Sequence, residues 1–113
     1  MTTATTLPPI DIAPEHWRIV RQILRQHVPQ HPVWAFGSRA RRTARPLSDL
    51  DLAIITDRPL PLAVHAALAE AFSESDLPYK VDVVDWATTS EAFRKLIEQD
   101  KVVVQEGGLE YGG

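Results

Sequence analysis

Apolar positions in the first third of the chain recur with a helical period. Trp17, Val20, Ile23, Leu24 and Val28 fall on one stripe between about Pro14 and Val28. Pro14 suits a first helical turn, and Pro29 with Pro32 prevents continuation. The rhythm then changes. Val33 to Phe36 is a short apolar run stopped by Gly37, the pattern of a strand. A short helix is expected from Ser38 to about Thr43, with Arg45-Pro46-Leu47 as the return loop. Leu50 to Thr56 reads as a second strand, with Asp51, Ala53 and Ile55 on one face and Leu52 and Ile54 on the other. After the Asp57-Arg58-Pro59 turn, helical spacing returns from about Leu60 to Ser75, marked by Val64, Ala67, Leu68, Ala71 and Phe72. Tyr79 to Trp86 is a third strand. Thr88-Thr89-Ser90-Glu91 reads as a capping box opening a helix with Phe93, Leu96 and Ile97 inward, and Lys101 to Gln105 as a last short strand. The order predicts an α/β fold: a mixed sheet of about four strands, with helices mainly on one face.

Composition narrows the picture. At 113 residues the chain is expected to be one domain, residues 1–113, with 1–10 and 107–113 as tails. Its 44% hydrophobic and 24% charged residues are those of an ordinary soluble globular protein, and no apolar run is long enough to span a membrane. The opening MTTATTLPPI lacks the basic and apolar regions of a secretory signal. There is no cysteine, so neither a disulfide framework nor a thiolate metal site is available, which suits a cytoplasmic protein. A net charge of −3 argues against sequence-blind nucleic-acid binding, and no direct nucleic-acid contact is expected. Positive charge is instead local, at Arg39, Arg41, Arg42 and Arg45.

The stretch from Trp34 to Ile55 concentrates the chemistry. Asp49 and Asp51, two apart where the second strand opens, project to the same side. Adjacent carboxylates repel unless a cation lies between them, and the natural cation for an all-oxygen ligand set is Mg²⁺. Gly37-Ser38 after a strand lets the backbone approach a phosphate, and a following helix aims free N–H groups at it. Arg39 or Arg41 would then contact phosphates, or the basic cluster would meet an acidic partner. The third strand offers a further carboxylate, Asp82 or Asp85, on opposite faces. Asp82 sits in mid-strand between valines, where an unpaired charge is most costly; Asp85 lies near the strand end, where solvent or the next helix could satisfy it. His27 and His31 are separated by Pro29 and make a poor zinc pair.

Gly37-Ser38-Arg39-Ala40-Arg41, Ala44-Arg45-Pro46 and Ser48-Asp49-Leu50-Asp51-Leu52 together resemble the signature of the minimal nucleotidyltransferases of the DNA polymerase β-type superfamily. The likeness is greatest to catalytic subunits of two-component bacterial nucleotidyltransferases and their antitoxin-like relatives. It spans about Trp17 to Gln105, including Phe72 to Pro78; at Arg42 such proteins usually have Gly. The resemblance implies the nucleotidyltransferase fold, two Mg²⁺ ions with Mn²⁺ able to substitute, and ATP or another NTP as donor. The family's hydrophobic-Asp-hydrophobic pattern falls on Asp82, making Asp49, Asp51 and Asp82 the metal ligands, with Asp82 as general base. Gly37, Ser38, Arg39 and Arg41 become the phosphate-binding set. It also implies transfer of AMP to a hydroxyl with release of pyrophosphate, acting with or on a helical-bundle partner encoded alongside, as in toxin–antitoxin pairs. An antitoxin-like subunit neutralising its partner by contact is the alternative, and a small-molecule (antibiotic) transferase a third. Homo-oligomerisation is left open.

Overall fold

Alternation along the second strand decides how the molecule is layered. Leu50, Leu52 and Ile54 point to one side and are fully buried, while Asp51 and Ala53 point to the other. The computed structural model of the protein describes residues 7–108. In it α1 (Pro14–His27) leads to β1 (Val33–Phe36), the short α2 (Ser38–Arg41) and β2 (Leu50–Ile54). Then follow α3 (Leu62–Ser73), β3 (Val81–Asp85), α4 (Glu91–Asp100) and β4 (Val102–Gln105).

The four strands lie in the order β3-β2-β1-β4. β1 is antiparallel to β2 and to β4, and β2 is parallel to β3, so the sheet is mixed as expected. The parallel pair requires a crossover, which α3 supplies. On one side, Leu50, Leu52, Ile54, Val33 and Ala35 meet Trp17, Val20, Ile23 and Leu24 of α1 and Leu68 and Phe72 of α3. Truncating a fully buried leucine in such a core costs about 2–5 kcal/mol.

The second side is covered by α4 and its approach. The Phe36 and Phe93 rings meet edge to face at 5.7 Å, and Trp34 and Trp86 at 5.1 Å. Two aromatics of β1 thereby anchor α4 and leave the sheet surface over the start of β2 and β3 for polar side chains. No helix among the described residues is long and apolar enough to cross a membrane.

Several expectations are corrected. The capping box does not form: a 3₁₀ turn occupies Trp86–Thr88, and Ser90 alone caps α4 by accepting the Phe93 N–H. Leu96 is 57% exposed rather than inward, because Phe93 and Ile97 take the sheet-facing positions. Residues 1–6 and 109–113 of the expected tails lie outside the described residues. Within the remainder, Ile10 is 1% exposed in the core, and the Gly108 N–H donates to the Gln30 carbonyl at 3.1 Å.

Candidate active site

Gly37 closes β1 with φ 80° and ψ −159°, backbone that a side chain rarely tolerates. The reason for the glycine is also spatial. A Cβ there would lie 2.5 Å from Asp51 Oδ2. The β1–α2 turn therefore rests directly against the first carboxylate of β2. From this turn α2 starts at Ser38, and its first-turn N–H groups have no carbonyl one turn back to bond. The Thr43 N–H closes the unit on the Ser38 carbonyl at 2.9 Å. Arg42 ends α2 in the left-handed region, φ 63° and ψ 38°. That conformation favours glycine, which accounts for Gly being usual there in the family it resembles.

Asp51 stands opposite Asp82 in the parallel register of β2 and β3. Neighbouring strands are about 4.8 Å apart and paired residues share a face, so the two carboxyl groups emerge side by side. Asp49, exposed, lies two residues upstream in the loop entering β2. Burial raises the Asp51 pKa from 3.8 to about 6, reinforced by the charges of Asp82 and Asp49 and opposed by Arg41. The structure thus brings Asp49, Asp51, Asp82 and Arg41 into one electrostatic neighbourhood.

The carboxylates do not converge on a point. Asp82, 41% exposed, leans to Lys80, whose Nζ is 3.4 Å from Asp82 Oδ1. Among the described residues no three His, Cys, Asp or Glu side chains are grouped closely enough to hold a metal ion as they stand. The donor set nonetheless suits a hard divalent cation: all oxygen, negatively charged and mutually repelling, with Asp51 pushed toward protonation by burial and by its carboxylate neighbours.

Asp85, the competing candidate, is committed elsewhere. Its carboxylate accepts from Thr56 Oγ1, from the Leu60 N–H at 2.7 Å and from the Ala87 N–H at 3.2 Å. It ties the β2–α3 loop to the end of β3, at the strand end away from Asp82.

Arg39 is also placed differently from the expectation that it reaches phosphate. It is 4% exposed. Its Nε and Nη2 donate to the Ser48 carbonyl at 3.0 and 2.7 Å, Nη2 also to Pro46 O at 3.1 Å, and Nη1 to Asp11 O at 2.9 Å. The guanidinium stacks 3.9 Å over the Tyr79 ring. Arg41, by contrast, is half exposed and pairs with Asp100 at 2.7 Å. A basic run in sequence does not distinguish these fates, since every group Arg39 engages is a distant carbonyl or ring.

The site is open. A cavity of about 520 Å³ lies at the free edge of β3, lined by Leu60, Leu62, His65, Val84 and Phe93, and it includes none of Gly37, Ser38, Asp49, Asp51 or Asp82.

Comparison with known proteins bears on this arrangement. Residues 19–107 match the family model described as polymerase beta, nucleotidyltransferase. The probable protein adenylyltransferase MntA of Haemophilus influenzae is 54% identical over 102 residues, covering 90% of each chain. Among solved structures, a toxin–antitoxin with AMP-PNP superposes with a TM-score of 0.68 at 22% identity, over 81% of this chain and 74% of the other. A structure assigned to a minimal nucleotidyltransferase gives 0.60 at 29% identity, over 78% and 88%.

Proposed function

The chain belongs to the polymerase beta nucleotidyltransferase family, and from that premise we propose that it transfers AMP from ATP to a hydroxyl group, releasing pyrophosphate. The acceptor hydroxyl is carried by a separate helical-bundle protein with which the chain assembles. The observation that carries this reading is the contact of Gly37 with Asp51, which sets a phosphate-approaching turn against a carboxylate pair in direct register.

Asp49, Asp51 and Asp82 would hold Mg²⁺, two ions in all, with Mn²⁺ able to substitute. When bound, the metal supplies charge neutralisation of the triphosphate and acidification of the attacking hydroxyl. Gly37 and Ser38 hold the terminal phosphates through backbone N–H groups, and Arg41 adds positive charge at the rim. Asp82 takes the proton from the acceptor hydroxyl. The freed oxygen bonds to the α-phosphorus as the bond to pyrophosphate breaks on the opposite side. In-line displacement would put departing pyrophosphate on the side of Gly37 and Ser38 and the attacking hydroxyl on the side of Asp82. The solvent exposure of Asp49 and Asp82 suits an acceptor brought by another protein. The MntA relative, a probable protein adenylyltransferase, and a toxin–antitoxin fold neighbour support the same reading.

A second reading is contact neutralisation of the partner with little turnover. It is favoured by the Lys80–Asp82 pairing and by carboxylates that do not converge. Pyrophosphate release from ATP and Mg²⁺ in the presence of the partner separates the two. Turnover lost in Asp51→Asn supports transfer, whereas partner inhibition that survives Asp51→Asn supports contact.

A further inference from the structure

The basic segment contains one arginine that behaves unlike the others. Arg39 begins the second position of α2 yet points back into the protein, beneath the loop that runs from Thr43 to Asp49. Four carbonyls surround its guanidinium: those of Asp11, Arg45, Pro46 and Ser48. Ser48 is bonded twice, by Nε and Nη2, a forked contact that fixes the direction of the peptide leading into Asp49. The loop is closed around this centre by further bonds. The Arg45 N–H donates to Ser48 Oγ at 2.9 Å, the Ala44 N–H to Asp11 Oδ2 at 3.2 Å, and the Asp11 N–H to the Arg39 carbonyl at 2.8 Å.

Asp49 precedes β2 and so lacks the ladder hydrogen bonds that orient Asp51 and Asp82. Its backbone needs another anchor. The peptide bond between Ser48 and Asp49 has its carbonyl held by Arg39, while the Leu50 N–H donates to the Lys80 carbonyl at 2.9 Å. Asp49 is thus clamped from both sides, once by the sheet and once by the buried guanidinium.

We propose that Arg39 is a positioning residue for the metal site: through the Ser48 carbonyl it fixes Asp49 relative to Asp51 and Asp82. This rests on the reading of those aspartates as metal ligands. A guanidinium 4% exposed, with its donors engaged by main-chain carbonyls and its face on Tyr79, is not available to a phosphate. Its role is geometric rather than electrostatic. Lysine, a point charge without the planar fork, does not replace it.

The test is Mn²⁺ binding by water-proton relaxation on the full chain, with no nucleotide present, alongside thermal melts. The wild type binds Mn²⁺ and Asp49→Asn weakens it at least tenfold. Arg39→Met and Arg39→Lys each weaken it by about tenfold in the folded protein, an effect the size of lost outer-shell support. Val20→Ala, a core truncation in α1, lowers the melting temperature without changing Mn²⁺ affinity. Should Arg39→Met fail to fold, Tyr79→Leu, which removes the ring the guanidinium stacks on and so loosens its hold on the Ser48 carbonyl, decides in its place with a several-fold loss. Unchanged affinity in folded Arg39→Met, or full rescue by Arg39→Lys, overturns the positioning role while leaving the metal reading intact. A wild type that binds no Mn²⁺, or binding indifferent to Asp49→Asn, overturns the metal reading and the proposal with it.

Discussion

A methyl group placed on Gly37 would meet Asp51 Oδ2 at 2.5 Å. The turn after β1 and the first carboxylate of β2 therefore pack closely, with no room for a side chain between them as Asp51 is placed.

Gly37→Ala tests this unit. The substitution combines a backbone conformation unfavourable to any side chain with a direct clash, so it should destabilise by about 1–3 kcal/mol. For a domain this size each kcal/mol corresponds to roughly 4–8 °C in a thermal melt. Nucleotide affinity should fall along with Tm.

Arg42 makes the opposite case. It is the non-glycine residue with positive φ among those described, and its exposed side chain donates to the Pro8 carbonyl at 3.0 Å. Arg42→Gly relieves a left-handed penalty of about 1 kcal/mol and loses one exposed hydrogen bond. A melting temperature higher by a few degrees is the expected outcome, with α2 otherwise unchanged.

The pH dependence follows from Asp51. Its carboxyl titrates near 6 when folded against 3.8 ordinarily, raised first by burial and then by Asp82 and Asp49. In that window the folded chain keeps a proton that the unfolded chain has released. The contribution to stability is full below about pH 4 and declines as pH rises through 6. A bound divalent cation supplies the missing counter-charge, so Mg²⁺ should raise Tm more at about pH 8 than at about pH 5. Equal effects at both would contradict a site built on Asp51.

Asp82 and Asp85 should separate cleanly on substitution. Asp85→Ala strips the partners of Thr56, Leu60 and Ala87 and should cost about 2–3 kcal/mol, with metal binding retained in the folded protein. Asp82→Asn removes only an exposed pair with Lys80, so stability should change by less than about 1 kcal/mol while metal binding weakens. Thermal melts and Mn²⁺ titrations of the two variants check both halves.

These contrasts show what could be read from residue order. The stripe Trp17-Val20-Ile23-Leu24 and the alternation of Leu50, Leu52 and Ile54 around Asp51 gave α1 and β2, because burial imposes those periods directly. Gly37-Ser38 with Asp49 and Asp51 marked the candidate site for a related reason: glycine geometry and paired like charges are local. Long-range partners were not legible. Nothing near Arg39 in sequence reveals that its acceptors are Asp11, Pro46 and Ser48 carbonyls, so from residue order it reads with Arg41 as a phosphate contact. Likewise the placement of Leu96 outward and of Ser90 as a lone cap depends on how Phe93 meets Phe36 across the sheet. Strand order, with β4 beside β1, is a tertiary outcome of the same kind.

The most direct measurement is the intact mass of the proposed partner protein after incubation with this chain, ATP and Mg²⁺, with Asp82→Asn alongside. A gain of AMP that disappears in the variant is the predicted result. A stable complex whose partner never gains AMP, or a gain that persists in Asp82→Asn, would contradict nucleotidyl transfer through this triad of carboxylates.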